Sequence, residues 1–135
     1  MMKQQQKGFT LVELMIVVLT LALLATIAYP SYQTYIRRTR LENVRASLLL
    51  NAQKMERYYS QQHHFPSTIA AADLEQNTYF DISYEAVSGD NFRLIAKPNK
   101  SNNPNENRYM QINGDGIVSV CEQSAGTDEN CYVYK

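Results

Sequence analysis

The sequence predicts an α+β protein: one long N-terminal helix laid across a four-stranded antiparallel sheet. Three observations carry that expectation. An apolar run extends from Phe9 to Tyr29, with Glu13 its only charge. Beyond it, Leu41, Val44, Leu48, Ala52, Met55 and Tyr59 recur at spacings of three and four, one stripe of an amphipathic helix. After residue 78 the pattern changes to alternation, with short apolar-polar runs separated by turn residues.

The first element is the apolar run. At about 1.5 Å per residue, its 21 residues make roughly 30 Å of helix, the hydrocarbon thickness of a bilayer. A carboxylate inside such a segment is disfavoured by about 3 kcal/mol on insertion scales, so Glu13 reads as functional. Three kinds of N-terminal segment compete. A secretory signal would be cut after the run, where Thr26-Ile27-Ala28 fits only weakly. A plain membrane anchor has no need of Glu13, nor of a glycine directly before Phe9. The third is a short basic leader cut at Gly8, leaving the apolar run attached. Positive residues on the leader side are few, Lys3 and Lys7, so the positive-inside tendency is only weakly met.

The helix is expected to continue to about Gln61, because neither glycine nor proline interrupts residues 31–64. Pro30 lies inside it. Proline lacks the N–H for one helical hydrogen bond and crowds the preceding turn, so a kink or local melting is expected there, passive or functional. Arg37-Arg38-Thr39-Arg40 follows the apolar stretch and suits acids of a neighbouring chain, anionic lipid headgroups or simple solvation. His63-His64-Phe65-Pro66 ends the pattern. The paired histidines have no acid or cysteine at ligand spacing, so no metal site is read there.

Residues 65–78 read as an irregular connection with one helical turn near Ala70–Glu75. The first strand is expected over Thr78–Ala86, with Phe80, Ile82 and Tyr84 on one face. Ser88-Gly89-Asp90-Asn91 turns the chain into a second strand, where Phe92, Leu94 and Ala96 share a face. A polar loop, Lys97 to Asn107, carries Pro98 and Pro104 and is dense in asparagine. Arg108–Asn113 and Ile117–Cys121 are the third and fourth strands, joined at Asn113-Gly114, whose glycine is expected to supply a positive φ. The tail from Glu122 is closed back by a cysteine pair.

The formal net charge of zero conceals an asymmetry. Residues 37–57 carry +4, whereas residues 58–135 carry −5. Cys121 and Cys131 enclose nine residues. If the N-terminus directs the chain to a membrane, the bulk of it faces an oxidising compartment and the natural pairing is one disulfide; two buried free thiols are the alternative. Closing a loop of this size contributes about 2–3 kcal/mol in the chain-entropy model.

Lys7-Gly8-Phe9-Thr10-Leu11-Val12-Glu13-Leu14-Met15-Ile16-Val17-Val18 resembles the prepilin signature of type IV pilins and their pseudopilin relatives. Pro30-Ser31-Tyr32 and Tyr35 are also similar to that family, and residues 44–59 resemble the major and minor pilins more loosely. The resemblance implies the pilin fold and three segments. Residues 1–8 are then a leader, 9–36 a transmembrane and filament-core helix, and 37–135 a globular domain outside the cytoplasm. A prepilin peptidase of the inner membrane would cut between Gly8 and Phe9 and methylate the Phe9 amine. Glu13 would neutralise that amine on a neighbouring subunit during assembly, and Pro30 would mark where the helix loosens on packing. A buried carboxylate is tolerated when a cation meets it, which agrees with this role. Partners implied are other pilin subunits, the peptidase, the inner-membrane assembly machinery and, before assembly, the membrane. No cofactor or metal is implied. The single-pass precursor would end in an extracellular filament of a Gram-negative bacterium, with residues 62–78 and Cys121–Cys131 as exposed, variable surfaces.

No nucleophile–base pair, phosphate loop or metal cluster stands out in the sequence, and Gly114-Asp115-Gly116 is explained by a hairpin, so an enzyme is not expected. The leading expectation is a pilus subunit, major or minor, serving adhesion, twitching motility or DNA uptake. A minor pilin that captures DNA is the alternative, since residues 43–59 also resemble that subgroup. Such a protein needs a basic surface, and Arg93, Lys97, Lys100 and Arg108 flank the polar loop where a local strip could form. Against it, the Cys121–Cys131 loop holds Glu122, Asp128 and Glu129 with no lysine or arginine. A type II secretion pseudopilin with a calcium site would rest on Asp128-Glu129 alone.

Overall fold

The computed structural model describes residues 7–123 and 130–135. Most of the leader and the Asp128-Glu129 pair lie outside the described residues. The chain divides into two units, one ending at Ile36 and one running from Arg37 to Lys135. Helix α1 (Leu11–Gln62) contributes to both.

In the first unit every described residue from Lys7 to Tyr35 is exposed, including Phe9, Leu11, Ile16, Leu24 and Ile27. This stretch is long and apolar enough to cross a membrane. Its start is fixed by Thr10, whose Oγ1 accepts a hydrogen bond from the Glu13 backbone N–H at 3.2 Å. That is the Thr-x-x-Glu order of a helix N-cap. The helix is continuous through Pro30. The Thr34 hydroxyl donates to the Pro30 carbonyl at 3.2 Å.

The second unit holds the core. Leu41, Val44, Leu48, Ala52 and Met55 of α1 are buried against the sheet as their spacing predicts. Tyr59 departs from that expectation and stays 37 % exposed, with its ring 4.7 Å from Phe65. Helix α1 closes at His63, whose φ of 62° is left-handed and whose N–H reaches the Tyr59 carbonyl at 2.7 Å. Fully buried Asn51 ties the helix to the following connection: its side chain donates to the Glu75 carbonyl and accepts from the Glu75 N–H. The connection carries a single short 3-10 turn, Ala71–Asp73.

The sheet has five strands, a correction to the expected four. They are β1 (Phe80–Ser88), β2 (Asn91–Pro98), β3 (Arg108–Asn113), β4 (Val118–Glu122) and β5 (Asn130–Val133), in a consecutive antiparallel meander. The fifth strand is four residues long and exposed throughout, so it lacks the alternation that betrays a strand. Its register is held at Cys121 and Cys131, which are direct cross-strand partners and are joined as a disulfide. Phe80, Ile82, Phe92, Leu94 and Ala96 face the helix as expected, joined by Met110, Ile112, Val118 and Val120.

Two turn details also differ. β1 begins at Phe80, two residues late, because Asn77 accepts from the Tyr79 N–H at 2.9 Å in a local turn. At the β3–β4 connection the positive φ falls on Gly116 at 80° rather than on Gly114. Gly114 is needed for close approach instead: a Cβ there would stand 2.6 Å from the Asn91 side-chain oxygen, which accepts the Gly114 N–H.

Candidate functional site

The N-terminal turn gathers the residues that the sequence singled out for assembly. Gly8 is exposed, Phe9 is 81 % exposed, and Glu13 sits in the first turn of α1. There the helix dipole favours a carboxylate, and the Thr10 cap satisfies one orphan N–H. Glu13 makes no ion pair with any described residue. The site presents an apolar cylinder with one carboxylate in its first turn that no described residue pairs. Thr10 is the residue that sequence reading missed; the Thr-x-x-Glu spacing was the available signal.

A second cluster joins α1 to the polar loop between β2 and β3. Glu106 lies in that loop with its side chain 1 % exposed. Arg37 donates from Nη2 to Oε1 at 3.0 Å and from Nε to Oε2 at 3.3 Å. Arg108 donates from Nε to Oε1 at 2.9 Å, from Nη2 to Oε2 at 3.1 Å and from its backbone N–H to Oε1 at 3.1 Å. Burial pushes the Glu106 carboxyl up, and the Arg108 and Arg37 hydrogen bonds outweigh it, leaving the group at about 2. One turn on, Arg40 donates to Asn103 at 3.0 Å and stacks 4.4 Å over the Tyr79 ring. Asn103 is itself buried. Of the basic run at 37–40, two arginines are thus committed inside the head, and Arg38 stays exposed. Sequence reading took residues 97–107 as a polar loop, because asparagine, proline and serine dominate it.

The expected basic strip does not form as one surface. Arg93 and Lys97 alternate with buried Phe92, Leu94 and Ala96, so they lie on the sheet face away from α1. Arg93 pairs with Glu85 at 2.8 Å, and Lys97 stands across from Asp81 in the strand register. Arg108 shares the helix-side parity of Met110 and Ile112 and is spent on Glu106. Lys100 is exposed in the loop. Among the described residues no three histidine, cysteine or acidic side chains gather as a metal site.

Comparison with known proteins places both parts of the chain. Residues 3–29 match a family described as the prokaryotic N-terminal methylation motif. Residues 30–116 match the family described as type IV minor pilin ComP, DNA uptake sequence receptor. The fimbrial protein EcpC of Eikenella corrodens is 45 % identical over 76 residues, covering 55 % of this chain and 48 % of that one. A fimbrial protein of Neisseria meningitidis is 36 % identical over 108 residues, 78 % of this chain and 62 % of that one. The chain thus spans about half to three-fifths of these relatives. The crystal structure of the non-core minor pilin PilV of Neisseria meningitidis superposes with a TM-score of 0.61 at 39 % identity, covering 68 % of this chain and 93 % of that one. With a motif model over its apolar helix, a family model over most of its head and a pilin of the same fold, the chain belongs to the type IV pilins, in the ComP minor-pilin family.

Proposed function

We propose that this chain is a structural subunit, a minor pilin, of a type IV pilus. The observation that carries the reading is the wholly exposed apolar stretch of α1, with Glu13 unpaired in its first turn, on a head that has its own core. An exposed apolar cylinder of this length is stable in a bilayer or among like helices, and a filament offers the second. In this reading a prepilin peptidase cuts between Gly8 and Phe9 and methylates Phe9. The helix then holds the precursor in the inner membrane by a single pass, and assembly machinery moves it into an extracellular filament. Glu13 meets the Phe9 amine of a neighbour, and Pro30 loosens the helix on packing. Catalysis is not proposed, since the relatives bear the names of pilins and fimbrial proteins. Mass spectrometry of sheared, purified filaments tests the proposal. The expected product is a chain beginning at methylated Phe9; its absence from filaments of cells that express it contradicts the reading.

DNA capture is a second reading, favoured by one observation: the description of the family matched by residues 30–116 names a DNA uptake sequence receptor. With Arg108 and Arg93 engaged by acids, Lys97 and Lys100 are the remaining contacts of the expected set. Retardation of duplex DNA by a soluble form starting at Ser31 decides it. A shift that weakens with salt supports the reading, and no shift at low salt ends it.

A further inference from the structure

Three tyrosines stand at the end of the apolar run at a spacing of three: Tyr29, which closes it, then Tyr32 and Tyr35. They are 67, 60 and 67 % exposed, and none belongs to the core of the head. Together with Ala25, Ala28 and Ser31 they line one shallow concavity on the helix surface. Neither the Tyr29 nor the Tyr32 hydroxyl bonds another described residue. We propose that this cluster is a lipid-interface belt, which seats α1 in the glycerol and headgroup layer of the leaflet nearest the head.

Length, chemistry and the state of the neighbouring cations agree on that occupant. Leu11 to Ala28 spans about 27 Å as helix, close to the hydrocarbon thickness, so Tyr29 stands near where the core ends. The next six residues rise about 9 Å, close to the depth of one headgroup layer. A tyrosine ring is apolar along its body and polar at its tip, and such rings collect at this boundary. Arginine usually shares this anchoring task, but Arg37 and Arg40 are committed to Glu106 and Asn103 within the head. Of the arginines at 37–40 only Arg38 stays exposed, so the three tyrosines carry most of the anchoring. The inference rests on the membrane-held precursor proposed above.

The chain contains no tryptophan, so one introduced indole reports alone. Leu19→Trp places it mid-run, in the full-length chain reconstituted into phosphatidylethanolamine–phosphatidylglycerol vesicles. Quenching by lipids brominated near the chain ends is compared with quenching by lipids brominated near the headgroup. With the tyrosines present, deep bromine is expected to quench more strongly. In a Tyr29→Ala/Tyr32→Ala/Tyr35→Ala background the deep-to-shallow ratio is expected to fall about twofold as the helix slides. An unchanged ratio overturns the belt while leaving the membrane reading intact. An unchanged ratio with reduced filament incorporation assigns the tyrosines to a neighbouring subunit instead, which also overturns it. No bromine quenching of the Leu19→Trp indole in either background removes the membrane reading and the belt together.

Discussion

Arg37 and Glu106 stand 69 residues apart in sequence and meet through two hydrogen bonds, 3.0 and 3.3 Å long. Arg37 is the first residue of the head unit, directly after the exposed apolar stretch. Glu106 brings Arg108 with it, so one buried carboxylate ties the helix to the loop and to β3. The loop is held again one turn later, through Arg40, Asn103 and Tyr79. The two contacts make residues 37–40 a fixed part of the head.

Removing the carboxylate leaves the Arg108 guanidinium, 20 % exposed, without its acidic partner. Glu106→Ala is therefore expected to cost about 3 kcal/mol of head stability. Arg37→Ala is expected to cost about 1 kcal/mol, because Arg37 is 42 % exposed and Glu106 keeps its bonds to Arg108. Urea unfolding of a soluble form starting at Ser31 measures both; equal costs would contradict the assignment of Arg108 as the main partner.

The same group sets an acid limit. The Glu106 carboxyl stands at about 2 in the folded protein against an ordinary 4.5. A depressed folded value means that the unfolded chain takes up the proton first as pH falls. Its stabilisation is complete above about pH 4.5 and is lost between there and about pH 2, amounting to about 3 kcal/mol. Glu106→Gln is expected to flatten the pH dependence of the urea midpoint across that window. An unaltered acid limb would place the effect on other carboxylates.

His63 closes α1 with a φ of 62°, a conformation that a side chain disfavours and glycine adopts freely. The edge contact with Tyr58 belongs to the neighbouring His64 ring, and exposed His63 is not part of the core. His63→Gly is expected to raise head stability by about 0.5 kcal/mol. Thermal unfolding checks the sign, and a loss would mean that the His63 side chain holds the helix end.

Long-range periodicity made most of this fold legible. The helix stripe at Leu41, Val44 and Leu48 and the sheet face at Phe80, Phe92 and Leu94 announce themselves by spacing, because burial on one face repeats with the element's geometry. β5 repeats nothing: all four residues are exposed, and its pairing depends on a register set by Cys131. The site divides in the same way. Gly8, Phe9 and Glu13 are adjacent in sequence and visible as a motif. Glu106 is invisible as a buried acid until the fold brings Arg37 across to it. The basic strip failed for a related reason, since Arg93 and Arg108 lie on opposite faces of the sheet and each meets an acid.

Glu13 is the residue on which the assembly reading turns. It is exposed in the first helical turn and pairs with no described residue; in the proposed reading its partner is the Phe9 amine of a neighbouring subunit. The direct measurement is the ratio of filament-incorporated to membrane-held subunit for Glu13→Ala, by quantitative mass spectrometry of sheared filaments and membranes. The expected result is an unchanged membrane pool with filament incorporation reduced about tenfold or more, the loss of one charge pairing in low dielectric. Incorporation equal to the unsubstituted chain would contradict the pairing and, with it, the account of why a carboxylate sits in this helix.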